Sequence, residues 1–174
     1  MIKVMRIKLL VNKEQEDSLM QISLVYKDVC QYVSNWIFEN NFVLNYVNIQ
    51  KEIYYKLRNL YPLNAHLIIS AMKTAAARYK ATKEQLRQNP YRYKDNDGKW
   101  QKIRRTLEWL EKPIQFRKPQ CDLIKNYDYR FLQDGRLSLT TLKGRIKIAF
   151  QTPPDWQASR QWMETRNSQT YVHK

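Results

Sequence analysis

The chain has 174 residues, of which 43% are hydrophobic and 13% aromatic, with only three glycines. This composition excludes an intrinsically disordered protein and predicts a folded one, in one domain or two small ones. Thirty-one lysines and arginines against sixteen acids give a formal net charge of +15. Such an excess favours a polyanionic partner and makes nucleic acid the first candidate.

Membrane anchors, metal sites and disulfides are not predicted. No apolar run approaches the roughly 20 residues that span a bilayer, and lysine and arginine interrupt the apolar N-terminal segment. No signal peptide or membrane partner is therefore expected, and the protein is expected in the cytoplasm, near the nucleoid of a prokaryote. The only cysteines, Cys30 and Cys121, are far apart and the chain has two histidines. That spacing does not fit a zinc site, and a disulfide is not expected in a reducing cytosol.

The first half of the chain predicts one strand followed by three helices. Residues 2–11 are rich in branched aliphatic side chains, which favours a strand. Apolar spacings of three and four then predict a long amphipathic helix over 14–41. A second helix is predicted from an N-cap at Asn48, and a third from an N-cap at Asn64 that ends before Pro90.

The second half changes to the pattern of strands. A short helix is predicted within 100–112, after a turn at Asp97-Gly98. Beyond Pro113 the period is two, and residues 155–174, which have no sustained period, are expected to be a partly disordered tail. The strand-like runs are PIQF, CDLI, DYRFL, RLSL and RIKIAF.

The order of these elements predicts the fold class. An N-terminal strand isolated from the others would keep exposed edges unless it pairs with one of them. The predicted fold is therefore α+β: a β-barrel whose first strand (1–12) is separated from its remaining strands (113–154) by a helical bundle (13–90). A basic, aromatic linker with the short helix (91–112) joins the bundle to the barrel.

Basic and aromatic residues form three candidate binding surfaces. On the third helix a basic face can follow a phosphate backbone, or is simply a solvated helix face. In the linker, aromatic rings can stack on exposed bases, or are wedged between bundle and barrel. The strands predict a positive barrel face. The helix supplies Lys73, Arg78, Lys80, Lys83 and Arg87. The linker supplies Tyr91, Arg92, Tyr93, Lys94, Trp100, Lys102, Arg104 and Arg105. The strands and their turns supply Lys118, Lys125, Arg130, Arg136, Lys143, Arg145 and Lys147.

No active site is predicted. A nuclease with two metal ions needs several carboxylates that converge on one point, whereas the acids here fall on helix exteriors or in turns. Asp122 and Asp128 are the only pair near strands, and turn or surface positions are the better interpretation for both. His66, near a helix start, is interpreted as a capping or polar contact residue, and no Ser-His-Asp or Cys-His spacing is present.

Four stretches, taken in order, carry a resemblance to a known family: IKVMRIKLLVNKEQEDSL, LRNLYPLNAHLIISAMKTAAARYKA, KPIQFRKPQCDLIKNYDYRF and LSLTTLKGRIKIAF. Together they resemble the N-terminal half of TnpB (OrfB-type) proteins, which are RNA-guided nucleases of transposons and relatives of type V CRISPR effectors. The resemblance implies an oligonucleotide-binding wedge barrel with a helical recognition lobe inserted after its first strand. It also implies two partners, a guide RNA and a double-stranded DNA target.

The resemblance also implies site residues and a departure. By motif position, a short DNA motif beside the target is expected near Tyr46, Gln50, His66, Ser70 and Lys73. Family members continue into a RuvC-like nuclease domain with metal-binding acids and often a zinc ribbon, and this sequence ends before either. No cofactor is expected in this chain, and Mg and Zn are expected only in those C-terminal domains. Cutting by this chain alone is not expected.

Three functions remain as alternatives. The first is a non-catalytic module that binds guide RNA and target DNA. The second is one subunit of a split nuclease whose RuvC half is a separate chain, and the third is a regulator that occupies the RNA or the target without cutting. An exposed apolar patch on the barrel would favour the split nuclease, because the missing domain normally covers part of it. A polar surface there would favour a self-sufficient binder.

Overall fold

The computed structural model describes residues 6–152 and 154, and the backbone of 169–172. The fold is α+β, as predicted, with three helices and antiparallel sheets. The elements in chain order are β1 (Lys8–Leu10), α1 (Lys13–Glu39), α2 (Tyr46–Leu60), α3 (Ala65–Gln88), β2 (Tyr91–Lys94), β3 (Trp100–Ile103), a 3-10 turn (Leu107–Trp109), β4 (Cys121–Ile124), β5 (Tyr129–Phe131), β6 (Leu137–Thr141), β7 (Gly144–Gln151) and β8 (Gln169–Val172).

Each of the three helices begins at an asparagine cap. The side-chain oxygens of Asn12, Asn45 and Asn64 each accept a hydrogen bond from a backbone N–H of the first turn. The predicted cap at Asn64 is confirmed, since its Oδ1 accepts from Leu67 N at 2.8 Å. The predicted cap at Asn48 is wrong by one turn, because Asn45 is the residue that presents its oxygen to the helix, at Val47 N.

The helices pack around a core in which buried hydroxyls are paired. Tyr26 and Tyr79 are both fully buried. The Tyr26 hydroxyl lies 3.0 Å from Ser70 Oγ and 3.0 Å from Thr74 Oγ1, and the Tyr79 hydroxyl donates to the Ser34 carbonyl. Burial of each large apolar side chain contributes about 1.5–3 kcal/mol. Because the buried hydroxyls are hydrogen-bonded, this core does not incur the cost of burying unpaired polar groups.

The N-terminal strand pairs with a strand that follows the helical bundle in sequence. β1 lies antiparallel to β7, with Leu9 opposite Phe150, and the sheet order is β1-β7-β6-β5. The predicted pairing of the isolated first strand is thus confirmed, over Lys8–Leu10; residues 2–5 of the predicted strand lie outside the described residues. Alternation along β7 puts Ile148 and Phe150 on the inner face, as predicted.

The described strands form open sheets and do not close into a barrel. β4 pairs with β8 and β2 pairs with β3, each as a separate two-stranded sheet. β4 contacts the helices: its Asp122 carbonyl accepts a hydrogen bond from Ser70 Oγ of α3 at 3.0 Å. Its apolar residues Cys121 and Leu123 are buried.

Two predicted elements of the second half are wrong. Instead of a helix within 100–112, β3 pairs with β2 across the predicted Asp97-Gly98 turn, and a single 3-10 turn follows. Instead of a strand in PIQF, Ile114 and Phe116 bond side chains of α1 and α3: Ile114 N donates to Tyr79 Oη and Phe116 N to Gln31 Oε1. A backbone satisfied by helix side chains needs no neighbouring strand.

The predicted tail at 155–174 lies outside the described residues, except for the backbone of Gln169–Val172. That segment is β8, antiparallel to β4. Its pairing gives β4 the strand partner that the larger sheet does not provide.

Candidate nucleic-acid interface

The C-terminal part of α3 extends beyond the bundle core. Tyr79 is its last buried residue. Four predicted phosphate-binding residues lie around this part of the helix and are exposed: Arg78, Lys80, Lys83 and Arg87. Arg87 is already paired with Glu84, at 2.8 Å between Nη2 and Oε2, whereas the other three form no salt bridge within residues 6–152. Three uncompensated cations are therefore available to phosphates here, with Arg78 and Lys80, two residues apart, on nearly opposite sides of the helix.

The β2–β3 hairpin follows α3 directly and has two chemically different faces. Cross-strand pairing sets Tyr91 opposite Ile103 and Tyr93 opposite Gln101, so these four side chains share one face. Arg92 opposite Lys102 and Lys94 opposite Trp100 form the other. Every position of both strands is exposed. The predicted linker is thus a projecting hairpin, and the alternative that its rings are wedged between bundle and barrel is wrong.

The aromatic face carries a row of three rings. Tyr91 and Tyr93 are stacked, with ring centroids 6.3 Å apart and planes 15° from parallel. Trp109, on the 3-10 turn, extends the row, with its ring 5.7 Å from that of Tyr91 and tilted 43° to it. Tyr91 is 50% exposed and Trp109 46% exposed. Large exposed aromatic surfaces of this kind mark binding sites more often than they mark packing.

The cationic face carries three basic residues and one indole. The Lys94 ammonium lies 5.4 Å from the centre of the Trp100 ring, which is itself 68% exposed. Arg92, Lys94 and Lys102 form no salt bridge to any described acid. These side chains are therefore available for phosphates, and the indole for a base or sugar.

The hairpin is fixed at both ends by its own hydrogen bonds. At the turn, the Asp95 carboxylate accepts hydrogen bonds from Lys99 N, Asp97 N and Gln101 Nε2. The Gln101 bond, followed by that of the Lys99 N–H, lowers the pKa of this carboxyl. Gly98 adopts φ +74°, a conformation that L side chains rarely take.

At the base of the hairpin, the Arg105 guanidinium donates to the Asn89 carbonyl at 2.7 Å. Arg105 was predicted to contact phosphate, and in the structure it ties the hairpin to the end of α3. Its neighbour Arg104 is exposed. Of the two, Arg104 is the residue that a ligand can reach without breaking this tie.

The solvent side of the four-stranded sheet, here called the outer sheet face, carries four cations: Lys8, Arg130, Arg145 and Lys147. Arg130, Ser138 and Lys147 lie directly opposite one another on β5, β6 and β7. Because neighbouring strands are about 4.8 Å apart, Arg130 and Lys147 are held roughly 10 Å apart at their backbones. None of the four cations forms a salt bridge within the described chain.

Arg145 is held in place by the sheet beneath it. Its Nε donates to Ser138 Oγ at 3.0 Å, and its Nη1 donates to Thr140 Oγ1 at 3.1 Å and to the Tyr127 carbonyl at 2.9 Å. Partial burial, followed by the charge of Arg130, lowers the pKa of this guanidinium, which nevertheless stays charged. The charge of the buried Asp128 acts in the opposite direction, and a bound anion would further offset the repulsion between Arg130 and Arg145.

Tyr127 connects the outer sheet face to the helical bundle. Its ring lies 4.2 Å from that of His66, at the start of α3, and its carbonyl accepts from Arg145. The turn that carries it is fixed by Asp128, which is 0% exposed and whose carboxylate accepts from Ile124 N and from the Asn64 amide. The structure thus brings together predicted residues of two separate regions, His66 and Arg145.

Of the five residues expected near the DNA motif, two meet and one is withdrawn from the surface. The Lys73 ammonium lies 4.8 Å from the centre of the Tyr46 ring, and Gln50, one helical turn after Tyr46, is partly exposed. Ser70 is buried and bonds Tyr26 and Asp122. Ser70 therefore packs in the core rather than lying on the surface.

Other predicted basic residues lie apart from these surfaces or are engaged. Arg136 is paired with Asp134 in the β5–β6 turn, at 2.6 Å between Nη2 and Oδ2. Lys118 is exposed in the segment before β4, and Lys143 is exposed in the β6–β7 turn.

Three residues of these surfaces were not predicted from the sequence: Tyr127, Trp109 and Lys8. The signal for Tyr127 was present, since a large aromatic residue stood in a predicted turn between two strands.

The acids near the strands form hydrogen bonds within turns and with the helical core. Asp128 sits in a turn, as predicted, but it is buried rather than on the surface. Asp122 is half-buried and accepts a hydrogen bond from Thr74 Oγ1. Within the part of the chain that the structure describes, no group of three or more His, Cys, Asp or Glu side chains is arranged to hold a metal ion. No described helix is both long and apolar enough to cross a membrane.

Comparison of the chain with protein-family models, with curated proteins and with solved structures finds no match.

Proposed function

We propose that this chain is a non-catalytic module that binds a guide RNA and a double-stranded DNA target. In this proposal it corresponds to the wedge and recognition lobes of a TnpB-like RNA-guided nuclease, and the four-stranded sheet with β4 and β8 is its oligonucleotide-binding wedge. The expected sites are the outer sheet face, the hairpin and the exposed cations of α3.

The observation that carries this proposal is the outer sheet face. None of its four cations forms a salt bridge within the described residues, and the charge of the buried Asp128 only partly offsets the repulsion between Arg130 and Arg145. A bound polyanion would stabilise such a cluster of cations, and the regular spacing of strands suits a phosphate backbone. The formal net charge of +15 supplies the long-range attraction.

The chain topology supports the same proposal. β1 and β7 are adjacent strands of one sheet, yet the whole helical bundle lies between them in sequence. The resemblance implies this arrangement, with a recognition lobe inserted after the first wedge strand. The contact of His66 with Tyr127 brings the start of α3 beside the outer sheet face, so one nucleic acid can touch both regions.

A second candidate is a subunit of a split nuclease with a separate RuvC-bearing chain. That function would favour an apolar docking patch on the sheet. On the four-stranded sheet, Leu10 is the one large apolar side chain among the described residues that is exposed, at 54%. The surface is otherwise polar and basic, which favours a self-sufficient binder or a regulator over the split enzyme.

The test is purification of the chain from its native host background after a wash at about 0.5 M salt, which weakens nonspecific phosphate contacts. We expect one abundant structured RNA, identified by sequencing. Recovery of heterogeneous fragments alone would contradict guide binding.

The same protein then provides a quantitative test of the outer sheet face. In Arg130→Gln/Lys147→Gln, the slope of log K against log salt for DNA duplex binding should become shallower by about 1.8, since each lost phosphate contact removes roughly 0.9. The matched control is Lys27→Gln/Lys56→Gln, which removes the same charge from α1 and α2. An equal change of slope in both variants would show that net charge, and not the outer sheet face, determines binding.

A further inference from the structure

We infer that the aromatic row of the hairpin, formed by Tyr91, Tyr93 and Trp109, is a stacking site for unpaired nucleotides, while the opposite face of the hairpin contacts phosphates of the same ligand. This inference rests on the proposed function and names the class of nucleic acid that one of its surfaces takes. It distinguishes the hairpin from the outer sheet face, which offers cations but no row of rings.

The rings are not part of the core. A two-stranded hairpin is only marginally stable by itself, and both strands of this one are exposed throughout. The Tyr91 and Tyr93 planes are within 15° of parallel, and their centroids are separated by 6.3 Å, close to the two-residue repeat of a strand, about 6.6 Å. Trp109 continues the row beyond Tyr91. The near-parallel faces of Tyr91 and Tyr93 suit successive bases, and Trp109, tilted 43° to Tyr91, adds a third ring.

Only unpaired bases can use such a row. In a duplex the base faces are covered by their neighbours, and an aromatic side chain reaches them only after the stack is opened. A single strand exposes every base, and stacking on aromatic rings tolerates any sequence. Arg92, Lys94 and Lys102 on the other face then meet phosphates of a strand that passes around the hairpin.

Exposed aromatic and basic residues can also bind a membrane surface. The residues at the tip of the hairpin disfavour that alternative. The residues that project furthest are the turn 95–98, which contains Asp95 and Asp97. Carboxylates at the tip would be repelled by anionic lipid. Trp100 borders the turn, but the three rings of the aromatic row lie further back, along β2 and at Trp109. Unpaired nucleotides do not require the tip to be buried.

The experiment measures binding of the full chain to three probes with matched phosphate numbers: oligouridylate, oligothymidylate and a blunt RNA duplex. Tyr91→Leu/Tyr93→Leu keeps apolar residues in the strand but removes the rings. Each lost stack should weaken binding of the single strands by about 5- to 150-fold, with duplex binding unchanged. Tyr91→Phe/Tyr93→Phe, which keeps both rings, should bind like the parent. Tyr55→Ala, at an exposed tyrosine of α2, is the matched control.

A second measurement needs no variant. Photocrosslinking of the parent chain to 5-iodouridine in the oligouridylate should label Tyr91, Tyr93 or Trp109. Labels confined to other residues, or a leucine variant that binds single strands like the parent, would overturn the inference. Binding to phosphatidylserine vesicles without binding to either single strand would overturn it as well.

The outcomes separate this inference from the proposed function. If no probe binds, the proposed function itself fails. If the probes bind and the Arg130→Gln/Lys147→Gln variant alters duplex binding while the leucine variant changes nothing, only the stacking site is disproved. A larger effect on oligouridylate than on oligothymidylate would assign the site to RNA, and an equal effect would assign it to unpaired strands of either kind.

Discussion

The outer sheet face and the hairpin are both basic, but they hold their cations in opposite ways. On the sheet, Arg145 bonds Ser138, Thr140 and the Tyr127 carbonyl, and the strands beneath it pack on a buried apolar layer that includes Leu139 and Ile148. On the hairpin, Arg92 and Lys102 extend from strands that are exposed throughout.

This difference determines what each surface can recognise. A guanidinium fixed by hydrogen bonds to three residues loses little side-chain entropy when it binds an anion, so it favours a phosphate at one position. Free lysine and arginine side chains must be ordered on binding and supply attraction that depends mainly on charge and salt. We therefore expect the outer sheet face to fix the register of a backbone and the hairpin to depend on its rings for selectivity.

The largest expected effect separates the two regions by stability. In Asp128→Ala, the Ile124 N–H and the Asn64 amide lose their buried acceptor, which should lower the free energy of unfolding by about 2–3 kcal/mol. Chemical denaturation measures the loss, and hydrogen exchange should locate it in β5 and β6 but not in β2 and β3. Asp97→Ala, at the tip of the hairpin, removes the same charge and should be nearly neutral. Equal losses in the two variants would contradict the role of Asp128.

A smaller effect tests whether Arg145 is fixed. In Arg145→Lys, one ammonium cannot reach the acceptors of all three residues, so the free energy of unfolding should fall by about 1 kcal/mol and duplex binding should weaken. The matched change Arg92→Lys on the hairpin should alter neither quantity measurably. Thermal denaturation and duplex titration check both variants, and a hairpin variant as damaged as the sheet variant would remove the distinction.

The smallest effect is confined to the turn of the hairpin. Because the hydrogen bonds of Gln101 and Lys99 lower the pKa of Asp95 in the folded chain, ionised Asp95 stabilises the turn above the unfolded pKa of about 3.9. That contribution is lost as the pH falls through the lower, folded value. NMR signals of the β2 and β3 amides should show that the hairpin frays as the pH falls. In Asp95→Asn the extent of fraying should no longer depend on pH. Fraying that persists unchanged in Asp95→Asn would assign it to another acid.

Local chemistry made much of the fold predictable. The cap at Asn64, the turn at Asp97-Gly98 and the alternation of RIKIAF depend on neighbours in sequence, and all three are confirmed. An unpaired strand edge is costly wherever it occurs, so the isolated first strand was expected to pair with a later one, and β1 does pair with β7. Most of the candidate cations were likewise identified as exposed residues by their positions opposite apolar ones.

The errors arose where a distant side chain determined the outcome. Ser70 had the polar character of a contact residue, but a tyrosine of α1 and a carbonyl of β4 bury it. PIQF had the period of a strand, but hydroxyl and amide groups of the helices satisfy its backbone. No local pattern contains those partners.

The sequence by itself determined the charge, the three long helices and the strand character of much of the second half, since composition, capping and periodicity are properties of short segments. Only the tertiary structure decided that the linker is a hairpin with one aromatic and one cationic face, and that Tyr127 joins His66 to Arg145. The physical reason is register: which side chains share a face depends on how strands pair and helices pack, and one residue of slip reverses every face.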